Sequence, residues 1–139
     1  MQIGIFFLLI IMDIKVAIQG IQGSFHHQVA HRYFGEAIGL DECATFRDVV
    51  TSLKTNQSDK AIMALENSIA GSILPNYALI DSNDLHIIGE YFLDIHMNLM
   101  VFPGQTIEEI QEVHSHPIAL LQCASFFSQY PHIKLVESS

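Results

Sequence analysis

The chain reads as an α/β domain with largely parallel strands, and three observations carry that expectation. Short β-branched or apolar runs alternate with helical stretches along nearly the whole length, as successive βα units do. The run Lys60-Ala61-Ile62-Met63-Ala64-Leu65 has no polar alternation after its first residue, as a central strand covered on both faces requires. The turns that follow the strand-like runs are rich in glycine, serine and asparagine, residues that close turns and cap helices.

In chain order, Ile14–Gln19 is a β-branched run stopped by Gly20, hence a buried strand. Gly20–Gly23 makes the turn, Ser24 caps a helix reaching Phe34, and Gly35 and Gly39 close it. Cys43–Phe46 reads as a second strand, and Arg47–Thr55 as an amphipathic helix with Val50 and Leu53 facing inward. After the Lys60–Leu65 strand, a helix is expected over Gly71–Ile80, then the turn Asp81-Ser82-Asn83-Asp84. Leu85–Tyr91 and Met97–Phe102 are both strand-like, the second ended by Pro103-Gly104. Thr106 caps a short helix whose Glu108 and Glu109 suit its N-terminal dipole. Val113–Ser115 is a short strand, Ile118–Ser128 a helix opened by His116-Pro117, and Ile133–Val136 a last strand.

The 139 residues suit one domain with a real core, and half of them are apolar. Six Lys+Arg against 15 Asp+Glu leave a net charge of −9, which excludes a general nucleic-acid or anionic-membrane binder. Two cysteines, Cys43 and Cys123, form neither a disulfide framework nor a zinc spacing, and fit a cytoplasmic protein. Residues 1–12 are almost wholly apolar but lack the basic leader and cleavage site of a secretory signal. They are also shorter than the roughly 20 residues that a spanning helix needs. That stretch reads as a non-native extension or an early start, with Met12 as the alternative start, set against a cleaved or membrane-touching leader.

Three strand-to-helix turns stand out: Gly20–Phe25, Glu66–Ser72 and His114–Pro117. In a parallel sheet such turns lie at the carboxyl ends of the strands, where open α/β folds bind ligands. The helix starts that follow carry unpaired amides able to hold a carboxylate without lysine or arginine. Each turn also has a plainer reading as a tight turn or cap. Gly20-x-x-Gly23 lacks the third glycine of a dinucleotide fingerprint and the Lys-Ser/Thr of a phosphate loop. His27 and His31 share a helical face beside His26, but a third metal ligand at usable spacing is missing, since Glu36 lies past the helix end, so no metal is expected. Neither cysteine has the surroundings of a nucleophile, and Cys123 reads as core.

Three segments in order resemble the prephenate dehydratase family: Val16–Phe25 (VAIQGIQGSF), Leu65–Ser72 (LENSIAGS) and Ser115–Cys123 (SHPIALLQC). Gly89-Glu90 and Pro103-Gly104 match between them, and the resemblance spans about Lys15 to Ser139. It implies a two-lobed fold like the type II periplasmic binding proteins, incomplete in this chain, with lobe 1 about 13–80 and part of lobe 2 about 81–139. It also implies loss of water and carbon dioxide from prephenate, giving phenylpyruvate for phenylalanine synthesis, with no cofactor. By the same likeness Glu66, Asn67 and Ser68 are catalytic, while Gly23, Ser24, Phe25, Gly71, Ser115, His116 and Gln122 bind substrate. The family's Thr-Arg-Phe segment, which carries its main catalytic threonine, has no match here, so the chain alone is expected to be inactive. Ala64 and Ile118 stand where the family usually has proline and glutamine, and His26 replaces a small hydroxyl residue. Prephenate, or the related arogenate, is the expected ligand, and a homo-oligomer the expected assembly. The rival readings are a non-catalytic anion-binding module of the same fold, a metalloprotein using His26, His27 and His31, and a lobe that pairs with a second copy.

Overall fold

A computed structural model describes residues 14–138. The apolar extension expected over residues 1–12 lies outside the described residues. Those described fall into two compact units, one of residues 14–64 and 75–93, the other of residues 65–74 and 94–138.

The first unit is built on β1 (Lys15–Gln19), which is central: β2 (Gly39–Cys43) and β3 (Lys60–Ile62) pair with it in parallel on either side. Helix α1 (Phe25–Phe34) follows β1, and α2 (Phe46–Lys54) follows β2. Side chains alternate across β1 with period two. Val16 and Ile18 pack with Ala30 and Phe34 of α1, whereas Ala17 packs with Val49 of α2 and Cys43. Val16, Ala17 and Ile18 are fully buried, and hiding each of the two larger side chains is worth roughly 1.5–3 kcal/mol. The uninterrupted apolar run that marks a two-faced strand therefore belongs to β1. The Lys60–Leu65 run, expected to be central, forms a three-residue strand that has one neighbour among the described residues.

Local chemistry accounts for the other shifts of boundary. Thr45 and Asp48 form a capping box, with Asp48 N–H donating to Thr45 Oγ1 at 3.1 Å and Thr45 N–H to Asp48 Oδ2 at 3.0 Å. This box starts α2 and confines β2 to residues before it, so the strand expected over Cys43–Phe46 runs instead over Gly39–Cys43. Gly35 ends α1 at a φ of 91°, and Gly39 opens a strand rather than closing the helix. On β2, the Asp41 carboxylate accepts from the hydroxyls of Ser52 and Ser58 and from Gln57 Nε2 at 3.2 Å, which ties the strand to α2 and the turn after it. Helix α3 (Leu74–Asp81) begins three residues later than expected, and its buried Asn76 donates to Ala64 C=O at 2.8 Å.

In the second unit, β4 (Glu66–Asn67) and β5 (Gly71–Ser72) pair antiparallel, and β6 (Glu112–Ser115) pairs parallel with β7 (Lys134–Glu137). A 3₁₀ turn (Ile107–Glu109) precedes β6, and Thr106 N–H donates to Glu109 Oε2 at 2.7 Å. The helix expected over Ile118–Ser128 is two short ones, α4 (Pro117–Gln122) and α5 (Ala124–Phe127). They part at Cys123, whose N–H reaches the carbonyls of both Ala119 and Leu120. Ile110, Phe127 and Ile133 form this unit's core, with Cys123 packed against them.

The strands expected at Leu85–Tyr91 and Met97–Phe102 are absent as strands: residues 85–102 carry no ladder. A strand exists only through a hydrogen-bonded neighbour, and among the described residues none pairs with them. Their side chains are largely in solvent, Phe92 at 88% exposure and Met100 at 86%. No helix among the described residues is long and apolar enough to cross a membrane.

Candidate functional site

Gly23, Ser24 and Phe25 lie in the first unit, at the carboxyl end of β1. Gly20 and Gly23 hold φ of 101° and 91°, left-handed values that favour glycine, so the chain turns sharply between strand and helix. Ser24 caps α1 as expected, its Oγ accepting from His27 N–H at 3.2 Å. Three of the loop's amides already have partners, however: Gly20 N–H donates to Cys43 C=O at 2.9 Å, and two more are bound within or beside the turn. Gln22 N–H donates to Glu42 Oε1 at 2.6 Å, and Ser24 N–H to Ile21 C=O at 3.0 Å. Glu42 on β2 is thus a loop-holding residue that reading the sequence missed. Its only signal is the parallel register pairing Gln19 with Cys43, which no local motif encodes.

The remaining candidates sit in the second unit. Asn67 and Gly71 face each other across a three-residue turn, and Gly71 takes a φ of 81°. Such a turn ends with a left-handed residue, hence glycine. Asn67 Oδ1 accepts from the N–H groups of both Ile69 and Ala70 at 2.9 Å, and Ser72 Oγ donates to Glu66 Oε2 at 3.0 Å. Gly71 and Ser72, expected to open the helix, belong to this hairpin because these bonds close the turn on itself, and the helix starts at Leu74 instead. Glu66 and Ser68 are exposed and Asn67 is half-buried, so the Glu66 carboxylate carries little burial cost.

Ser115 ends β6 beside Glu137 of β7, and its carbonyl accepts from Ser138 N–H at 2.9 Å. His116 caps α4 through Nδ1, which accepts from Ile118 N–H at 3.2 Å, and Pro117 takes the first helical position. Gln122 closes the same helix, six residues on from His116.

The histidines of α1 form a separate group. His27 and His31 stack edge to face with ring centroids 4.6 Å apart, and Glu36 Oε2 comes within 3.3 Å of His31 Nδ1. With Gln22, Gln28 and Arg32 they line an open groove of about 360 Å³. Among the described residues no group of three His, Cys, Asp or Glu side chains is placed to hold a metal. His26 packs edge-on against Phe46 at 5.3 Å, and burial lowers its pKa below the usual histidine value, against the opposing effect of a hydrogen bond that its ring donates to the Gln19 backbone.

Parallel strands alternating with helices define an α/β protein. The family model described as prephenate dehydratase matches residues 16–139. The bifunctional chorismate mutase/prephenate dehydratases of Buchnera aphidicola (from Acyrthosiphon pisum) and Escherichia coli K12 are each 35% identical to the chain, over 84% and 87% of it. An Arabidopsis thaliana arogenate dehydratase/prephenate dehydratase is 34% identical over 79% of the chain. A solved structure described as a quorum-quenching acylase, GqqA, superposes with a TM-score of 0.70 at 25% identity, over 89% of this chain and 45% of that one. The chain belongs to the prephenate dehydratase family. It spans about a third of the length of the curated relatives it matches, between 29% and 32% for the three named.

Proposed function

We propose that the chain contributes to a prephenate dehydratase, carrying substrate-binding and catalytic loops for conversion of prephenate to phenylpyruvate. The observation that supports this best is the family match over residues 16–139, within which Gly23–Phe25 occupies a turn and helix start, Glu66–Ser68 one arm and the turn of a hairpin, and Ser115–Gln122 a strand end and the short helix that follows it. In the reaction the bond to the ring carboxylate breaks and its electron pair enters the ring. The ring hydroxyl takes up one proton and leaves as water, and carbon dioxide departs. Aromatisation drives the step, so the protein's task is to hold the dianion and stabilise the departing oxygen. In this reading Glu66, Asn67 and Ser68 act at the reacting groups, Gly23, Ser24, Phe25, Gly71, Ser115, His116 and Gln122 hold the substrate, and no cofactor takes part. The whole protein has the two-lobed periplasmic-binding-protein-like fold, with lobe 1 near 13–80 and part of lobe 2 near 81–139, and works as a cytoplasmic homo-oligomer.

The test joins this chain to the portion of the E. coli relative that follows the matched region and measures phenylpyruvate formation. The 139-residue chain alone is expected to be inactive, since it contains no Thr-Arg-Phe sequence. In the joined protein, Asn67→Ala or Ser68→Ala lowers turnover far more than His31→Ala. Equal losses would remove the Glu-Asn-Ser turn from the site, and turnover by the short chain at the joined protein's rate would overturn the inactivity.

A further inference from the structure

We propose that residues 85–93 are a detachable strap on the first unit, latched at its middle by the Tyr33 phenol of α1, which sits in the space a side chain at Gly89 would fill. The strap is a conformational device that does not depend on the dehydratase reading.

A glycine is needed either for a left-handed backbone or for room beside another group. Gly89 has none of the positive φ that Gly20 and Gly23 hold, so room is the reason here. A Cβ built at Gly89 would meet Tyr33 Cζ at 2.9 Å and Tyr33 Oη closer still, nearer than packed atoms approach. At every other described glycine an added Cβ would find its nearest neighbour at 3.3 Å or beyond. The phenol is held in place from behind. Tyr33 packs edge-on against Phe34 with ring centroids 4.9 Å apart, and Phe34 packs against Val16, Ile18 and Ala30 of the core. The latch is therefore keyed to the first unit's core through one neighbouring side chain.

Little else secures the strap. It carries no ladder, residues 86–92 are exposed, and its half-buried residues are Leu85 and Leu93 at the two ends, with Gly89 midway between them. Segments with few buried contacts open locally at far less cost than a core strand or helix. After Leu93 the chain enters the second unit, so the latch holds the stretch by which the chain last leaves the first.

Chymotrypsin cleavage of the 139-residue chain after Tyr91 and Phe92, both exposed, reads the strap's opening. A protease needs the segment lifted clear of its support, so the rate follows the open population. Gly89→Ala puts a methyl where the phenol sits and should raise the rate at these two sites by roughly 5- to 150-fold, the range that forced overpacking produces. In a Tyr33→Ala chain the seat is vacant, so adding Gly89→Ala should change the rate by less than about 2-fold. Equal acceleration in both backgrounds, or none in the single variant, overturns the latch. The unsubstituted chain supplies a check that needs no variant to fold: its nuclear Overhauser spectrum should show a cross-peak between Gly89 Hα and Tyr33 Hε, and absence of that peak overturns the proposal as well.

Discussion

Replacing Asp41 with alanine removes the acceptor shared by three side chains on the strand that also carries Glu42, the residue holding the Gln22 loop. Ser52 and Ser58 are buried, at 3% and 5% exposure, and their hydroxyls lie 2.8 Å apart. Without the carboxylate, one hydroxyl still donates to the other, but the second loses its acceptor. Gln57, at the exposed edge of the network, turns to solvent at little cost. One orphaned buried hydroxyl costs roughly 1–3 kcal/mol, so Asp41→Ala should destabilise the first unit by about 2 kcal/mol. For a unit of this size that corresponds to a fall in Tm of roughly 8–16 °C, read by circular dichroism on heating at neutral pH. The acid limb gives an independent check. Hydrogen bonds, above all from Ser52, hold the Asp41 carboxyl below its ordinary value of 3.8. The unfolded chain therefore takes up the proton first. The stabilisation from Asp41 is complete above about pH 5 and is lost as pH falls through 3.8 toward the lower folded value. Asp41→Asn should flatten the fall in stability over that window. A Tm drop under about 3 °C for the alanine variant, or an unchanged acid limb for the asparagine variant, would refute this account of the network.

Other perturbations separate the site's supports. His26 titrates in a different window: burial lowers its pKa, so the unfolded chain binds the proton first below 6.5. Acidification from neutral pH toward 5 should then cost stability in the parent chain, and His26→Phe, which keeps an edge contact with Phe46, should remove that slope in urea titrations at the two pH values. Ser24→Ala deletes the cap bond to His27 N–H and should cost about 1 kcal/mol, while Ser24→Asp retains most of it in the same urea assay. Glu42→Ala removes the 2.6 Å bond that fixes Gln22. Faster hydrogen exchange at the Gln22 amide with α1 amides unchanged is the expected result, and protection equal to the parent would deny Glu42 its loop-holding role.

Much of this architecture was legible residue by residue. The Val16-Ala17-Ile18 run, the Gly20 and Gly23 turns and the Ser24 cap depend on neighbours within a few positions, and each appears where its chemistry places it. The capping box Thr45-x-x-Asp48 was equally local and went unread, which displaced β2 by several residues. The sequence reads as a helix from Gly71 that the Glu66-Asn67-Ser68 turn could cap, whereas the Asn67 side-chain carbonyl closes a hairpin, because a short polar side chain serves both geometries and only the Gly71 backbone decides between them. The family likeness located the candidate segments, and the match over residues 16–139 bears out the family.

What the amino-acid order settles here is chain-local: which runs are apolar, where turns fall, and which residues can cap. Side-chain shape and backbone preference act over a few residues, so no partner needs to be known. Pairing is another matter. The apolar residues 85–102 have the composition of strands yet make no ladder, and Glu42 reaches Gln22 only because β1 and β2 share a register. A ladder or a long-range hydrogen bond is a property of two segments brought together in space, so it is the folded chain that sets β1 between β2 and β3 and leaves Phe92 and Met100 in solvent.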